Sequence, residues 1–200
     1  MTDPHRFATL LPRLTVSQCA GENPIVPGAT AVEVDVGCGK GRFLLARASR
    51  HRGVGFLGIE RQAGRIQKVA RRAERVGLRN VRLLQLEASY VIEHLLPAAS
   101  VSCYYVFFPD PWPKRRHQAR RLFDAAFLAC AWRTLVPGGC IHVATDDAAY
   151  FGQIVSDLAG NKRFAEVAPF APGPNEQTDF ERTFTGQGKA ILRFSGRRRP

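Results

Sequence analysis

Apolar and polar positions follow two periods along this chain. Short, mostly apolar runs occupy 31–36, 55–60, 81–86, 101–106, 140–144, 164–168 and 189–194, the lengths of buried strands. Between them lie stretches whose apolar residues recur at intervals of three and four, the spacing of an amphipathic helix. These are 42–49, 62–76, 90–96, 118–135 and 149–158. In 62–76 the core-facing set is Ile66, Val69, Ala70 and Ala73, with Gly77 as the stop. In 118–135 it is Leu122, Phe123, Ala126, Phe127 and Cys130. Strands and helices in alternation, with glycine-marked turns, predict an α/β doubly wound sheet. No helical stretch separates the last two runs, which predicts a terminal hairpin.

Ligands of such sheets bind beyond the carboxyl ends of the strands. The first strand runs into Gly37-Cys38-Gly39-Lys40-Gly41, whose glycines allow a sharp turn and close approach to a ligand. A dinucleotide fingerprint carries its third glycine where this chain has Arg42, which disfavours a pyrophosphate cofactor. The second strand ends on Glu60, 23 residues after Gly37, placed to accept both hydroxyls of a ribose. Glu87-Ala88 ends the third, and Thr145-Asp146-Asp147 ends the strand that follows Pro137-Gly138-Gly139. A glycine loop with a strand-end acid points to an adenosine-containing ligand.

The fourth strand opens into Phe107-Phe108-Pro109-Asp110-Pro111-Trp112-Pro113-Lys114-Arg115-Arg116-His117. Its three prolines stiffen the loop and exclude helix. A rigid acceptor beside an aromatic face suits a purine, which has a polar edge and a flat face. The plain structural reading of the same residues is a proline-rich connector with a solvated charge run.

Composition sharpens the choice of partner. Two hundred residues with 45% hydrophobic content make one ordinary globular domain. A net charge of +12 is not ordinary and predicts an anionic partner, nucleic acid first. Met1-Thr2-Asp3-Pro4 begins no secretory signal, and no apolar run approaches a membrane span. The five cysteines form no Cys-x-x-Cys pair and no metal spacing, so a reduced cytoplasmic setting without a metal is expected. Residues 1–27, with Arg6 and Arg13, read as a basic arm, 28–196 as the domain, and Arg197-Arg198-Arg199-Pro200 as a disordered basic tail. The stretch between the last two strands, with Pro172-Gly173-Pro174 and then Thr178-Asp179-Phe180-Glu181, reads as a long functional loop.

Asp110-Pro111-Trp112-Pro113-Lys114-Arg115-Arg116-His117, followed by Arg120-Arg121-Leu122, closely resembles the signature of the bacterial tRNA (guanine-N7-)-methyltransferases. The resemblance runs with gaps from about Arg13 to Phe194, and Arg13-Leu14-Thr15-Val16-Ser17-Gln18 is similar to the basic segment before the catalytic domain in that family. It implies the Rossmann-like seven-stranded sheet of the S-adenosylmethionine-dependent methyltransferases, last strand antiparallel. It implies S-adenosylmethionine as cofactor, tRNA as partner, and no membrane or obligatory protein partner. The family's cofactor-binding positions fall on Asp35, Gly37, Gly39, Glu60, Glu87 and Asp110, with Asp110 also catalytic. Its substrate-binding positions fall on Lys114, Asp146, Thr178, Asp179, Phe180 and Glu181. Asp35 stands where relatives usually carry glutamate, and Glu87 where they carry aspartate, so charge is kept and reach changes. A basic residue usually follows the Thr-x-x-Glu motif by two; here that place is Thr183, with Arg182 beside it.

The implied reaction is methyl transfer from S-adenosylmethionine to N7 of a variable-loop guanosine of tRNA. N7 carries a lone pair and no proton, so no general base is required. Asp110 is then an acceptor for guanine N1–H and the exocyclic amine, and Arg115, Arg116, Arg120 and Arg121 are expected to meet phosphates. An exocyclic-amine methyltransferase, which uses a similar Asp-Pro-Pro-aromatic loop, is the rival enzyme. A non-catalytic RNA-binding module on a methyltransferase fold is the rival of another class.

Overall fold

The computed structural model describes residues 25–200. The arm segment Arg13 to Gln18, and Cys19, lie outside the described residues. Seven strands form one sheet: β1 Val32–Val36, β2 Gly55–Ile59, β3 Val81–Leu84, β4 Val101–Phe107, β5 Leu135–Thr145, β6 Phe164–Val167 and β7 Leu192–Arg198. Their order across the sheet is β3-β2-β1-β4-β5-β7-β6. The first five are parallel, and β7 inserts antiparallel between β5 and β6. The chain therefore reverses direction across the sheet at the β1/β4 junction, the point where open α/β sheets present their ligand crevice.

Helices cover both faces. They are α1 Arg42–Arg50, α2 Ala63–Arg75, the short α3 Ala88–Tyr90, α4 Ala125–Thr134, α5 Ala148–Ala159 and α6 Asp179–Gly186. A wider turn, Val91–Leu95, prolongs α3. One apolar cluster joins Val32, Val34, Tyr104 and Ile141 to Phe127, Leu128, Ile154 and Leu158 of α4 and α5. A second packs α1 and α2 through Leu44, Leu45, Ile66 and Val69. Burial of such side chains, about 1.5–3 kcal/mol each, is what drives these faces together. At Gly41 (φ +70°) an added Cβ would lie 2.6 Å from Val69 Cγ1, so this glycine is where α2 closes on the loop before α1.

Four expectations require correction. The helix expected over 118–135 is two pieces: a 3₁₀ turn, Arg115–Arg120, and then α4 from Ala125. Asp124 Oδ1 accepts from Phe127 N at 2.7 Å and starts a fresh helix there. Leu122 and Phe123 carry the apolar spacing, yet they lie in the extended link; Phe123 is buried and its amide donates to Tyr150 Oη at 3.3 Å. The same 3₁₀ turn places helix-like structure on the loop after the prolines. Second, β6 and β7 are antiparallel neighbours but not a simple hairpin, because α6 lies between them. Thr178 Oγ1 accepts from Glu181 N at 3.0 Å, so the motif read as loop is a helix N-cap. Third, β7 continues to Arg198, two residues into the expected tail; Arg198 sits 4.4 Å from the Trp132 ring and donates to the Leu135 carbonyl. Fourth, β5 begins at Leu135 rather than Cys140, with a register shift against β4 between Val101 and Cys103.

Candidate active site

Beyond the carboxyl ends of β1, β2, β3 and β4 opens a cleft of about 890 Å³. Gly37, Gly39, Glu60, Glu87, Asp110 and Phe180 all line it, together with Phe108, Pro109 and Trp112. Six of the sequence-predicted site residues are thus brought to one cavity from five separate segments.

The β1–β2 side is built from backbone and buried acids. Gly37 and Gly39 have φ of +75° and +54°, and a Cβ at Gly37 would point into open space. Glu60, 6% exposed, accepts from Gln62 N at 2.8 Å through Oε1, and its Oε2 lies 3.6 Å from Arg65 Nη1. Asp35 is buried beneath the glycine loop, and no polar partner for its carboxyl is found among the described residues. Burial, and then the charge of Glu60, push its pKa up to about 7.

The β4 side is built from a strained loop and aromatic rings. Phe108 and Trp112 take φ of +54° and +42°, a left-handed conformation that disfavours bulky residues. The turn at Phe108 brings its ring within 6.1 Å of Phe180 and 5.5 Å of Phe184. Trp112 meets His117 edge-on at 5.7 Å, and the Arg120 guanidinium lies 5.1 Å from its ring. Arg121, expected to meet phosphates, is an internal brace instead. Its Nε donates to the Pro111 carbonyl at 2.7 Å, its Nη1 to Gln153 Oε1, and its guanidinium covers Tyr150 at 4.7 Å. Arg115 and Arg116 are exposed.

The remaining predicted residues stand around the cleft without lining it. Lys114 is exposed at the start of the 3₁₀ turn. Asp146 Oδ2 accepts from Lys189 Nζ at 2.7 Å, and Lys189 also lies 4.3 Å from the Phe184 ring. Thr178 caps α6, and Asp179 occupies its first position. Glu181 is turned inward, 3% exposed, with Oε1 paired to Arg193 of β7. Thr183 donates its hydroxyl to the Asp179 carbonyl, so neither it nor the exposed Arg182 is the partner of Glu181. Arg193 takes that part, from a strand read in sequence only as apolar.

A second unread group anchors the segment before α6. Arg47 of α1 donates to Glu33 from Nε at 2.9 Å and from Nη2 at 3.3 Å, and to Glu176 from Nη1 at 3.2 Å. Tyr105 Oη donates to the same Glu33 at 2.9 Å. The Arg47 guanidinium lies 5.2 Å from both the Tyr105 and Phe170 rings. Phe170 stacks on His142, whose Nδ1 is 2.7 Å from Ser195 Oγ; burial holds the imidazole down at a pKa of about 4. The only sequence signal was Glu33, an acid two residues before Asp35 and so on the same face of an otherwise apolar strand.

Comparison with known proteins fixes the family. The family model described as "Putative methyltransferase" matches residues 29–194. A tRNA (guanine-N(7)-)-methyltransferase of Nitrosomonas eutropha is 35% identical over 176 residues, 85% of this chain and 78% of its own length. A protein of the same name from Halorhodospira halophila is 36% identical over 174 residues, 84% of this chain and 74% of its own. The chain belongs to the bacterial tRNA (guanine-N7-)-methyltransferase family. In fold it is similar to the crystal structure of the 16S rRNA methyltransferase KamB, with a TM-score of 0.63 at 16% identity over 86% of this chain and 90% of that one.

This membership brings S-adenosylmethionine as the methyl donor, and the cleft fits it on two observations. The open positive-φ glycines leave room for a ligand against the backbone. Glu60, buried in the cleft wall, supplies negative charge for a cofactor that carries a sulfonium and an ammonium and suits its ribose hydroxyls, whereas Asp35 lies behind Gly37 without lining the cleft. Among the described residues, no helix is long and apolar enough to cross a membrane.

Proposed function

We propose that this chain methylates N7 of a guanosine in the variable loop of tRNA, and that Asp110 selects the base. The observation that carries the reading is the shared cleft: Asp110, on a loop bounded by prolines, opens onto the same cavity as Gly37, Gly39 and Glu60. S-adenosylmethionine supplies an electrophilic methyl group. The chain's own task is to hold guanine N7 toward it, and proximity accounts for much of the rate of such a transfer. Asp110 accepts from guanine N1–H and the exocyclic amine, which distinguishes guanine from adenine by about 1–3 kcal/mol for a bidentate contact. Trp112, Phe108 and Phe180 offer the flat faces for a base drawn out of its stack, a step that costs a few kcal/mol.

Asp35, Gly37, Gly39, Glu60 and Glu87 hold the cofactor in this reading. Lys114 and Asp146 orient the nucleotide at the rim, and Thr178 to Glu181 place Phe180. Glu181 acts through its buried pair with Arg193 rather than by touching the base. No general base is assigned, since N7 has no proton to lose. The setting is cytoplasmic, with tRNA as the macromolecular partner and no obligatory protein partner.

The test is incubation of the full chain with unmodified tRNA and methyl-labelled S-adenosylmethionine. Borohydride and aniline then cleave the RNA at N7-methylguanosine. Cleavage in the variable loop is expected. Label found on an exocyclic amine assigns the rival methyltransferase, and cofactor binding without transfer assigns the non-catalytic module.

A further inference from the structure

Helix α2 carries a charge asymmetry that its packing does not require. Ile66, Val69 and Ala73 face the core. On one side of that stripe stand Arg65, Lys68 and Arg72, Arg71 and Arg75 occupy the face opposite it, and on the other side stand Gln67, Ala70 and Glu74. The basic flank is self-repelling. Lys68–Arg71, Lys68–Arg72, Arg71–Arg75 and Arg72–Arg75 are all like-charge neighbours at three or four residues, an arrangement that destabilises a helix. Arg65 in the first turn, which holds no acid, opposes the helix dipole, while Arg72 and Arg75 in the last turn suit it.

Two of these five cations have internal partners among the described residues and three do not. Arg65 lies 3.6 Å from Glu60, and Arg72 donates to the Lys40 carbonyl at 2.7 Å. Lys68, Arg71 and Arg75 are exposed and make no salt bridge among the described residues. The flank is continuous with the site, because Arg61 and Arg65 line the cleft mouth. From there it descends the length of the helix, about 20 Å at 1.5 Å per residue.

We propose that this flank is a second tRNA contact, a track for the phosphates of a strand leaving the cleft on the cofactor side. The proposal rests on the reading of the chain as a tRNA methyltransferase and extends it to a surface remote from the target base. A polyanion relieves the repulsion that the free helix bears, and a strand that presents its guanosine at Asp110 has the opposite rim of the same cleft beside it. The binding is electrostatic and indifferent to sequence, so it fixes the tRNA body while the Asp110 loop reads the base.

Two triple variants of the full chain test it: Lys68→Gln/Arg71→Gln/Arg75→Gln, and the charge-preserving Lys68→Arg/Arg71→Lys/Arg75→Lys. Unmodified tRNA is titrated across a salt series, and S-adenosylhomocysteine is titrated by calorimetry. The neutral variant should bind tRNA roughly tenfold more weakly at low salt, with the slope of log affinity against log salt reduced by about two. The charge-preserving variant should keep affinity and slope, and both should bind S-adenosylhomocysteine as the wild type does. Wild-type affinity and slope in the neutral variant would overturn the proposal. So would an equal loss in the charge-preserving variant. Loss of capture by phosphatidylserine vesicles, with tRNA binding intact, would assign the flank to a membrane and overturn it too. A reduced slope in a protein whose wild type forms no N7-methylguanosine would uphold the track and reject the function proposed above.

Discussion

The two rims of the cleft are made in different ways. On the β1–β2–β3 rim the site is local in sequence: five residues of glycine loop, and a carboxylate held by an amide two residues on. On the β4–β5–β7 rim it is assembled from afar. Arg121 reaches Gln153, Lys189 reaches Asp146, and Arg193 reaches Glu181. In the proposed function the first rim serves a cofactor of fixed shape and needs only backbone and charge. The second, proposed to grip a base on a large RNA, is made of side chains that hold one another.

Disturbing the assembled rim should therefore cost the most. Arg193→Met strands Glu181 in a site where it is 3% exposed, and breaking such a pair costs about 3–5 kcal/mol. Thermal unfolding should show this loss. The double variant Arg193→Met/Glu181→Gln should recover a large part of it, since the unpaired charge is gone. A single variant as stable as wild type would mean that the pair does not hold α6.

The cofactor rim should show itself through pH. Between about pH 4 and pH 7 Asp35 is protonated in the folded chain, where its pKa is about 7, and ionised in the unfolded chain. The folded chain binds the extra proton there, so stability falls as pH rises through this window, by about 4 kcal/mol at most. Asp35→Asn should flatten that slope in urea titrations run at successive pH values. The ionised form is the better counter-charge for a sulfonium, so wild-type affinity for S-adenosylmethionine should rise over the same range. A slope unchanged in the variant would assign it to other groups.

A smaller effect separates the rims directly. Glu60→Ala should weaken S-adenosylhomocysteine by about 1.5–3 kcal/mol, the range for hydrogen bonds to a charged acceptor. Affinity for tRNA should be untouched, because Glu60 is proposed to serve the cofactor alone. Calorimetry and a tRNA titration check the two halves, and a loss shared by both would show that the rims are not separable.

The same division decided what could be read from the sequence. The glycine loop, Glu60 and the seven strands were legible because each is announced by neighbours along the chain. The proline loop was legible because its residues are unusual together, and the resemblance it carries named the family. Helix α6 was announced as well, by Thr178 and Glu181 at capping spacing, but prolines upstream drew the reading toward loop. The break at Leu122 and Phe123 was hidden, since apolar residues there fit a helical period while burying themselves from an extended link. Arg121 as a brace, Arg193 as the partner of Glu181, and Arg47 between Glu33 and Glu176 had no local sign. An arginine looks the same in sequence whether it faces a phosphate or a carboxylate folded against it from a distant segment.

The claim that Asp110 grips the guanine is tested most directly by single-turnover methyl transfer with Asp110→Asn, at saturating tRNA and S-adenosylmethionine. The amide cannot accept from both guanine donors with full charge. The expected rate is lower by roughly 10- to 100-fold, in line with the loss of a bidentate contact, with tRNA affinity retained and the residual product still N7-methylguanosine. A wild-type rate in that variant would contradict the claim.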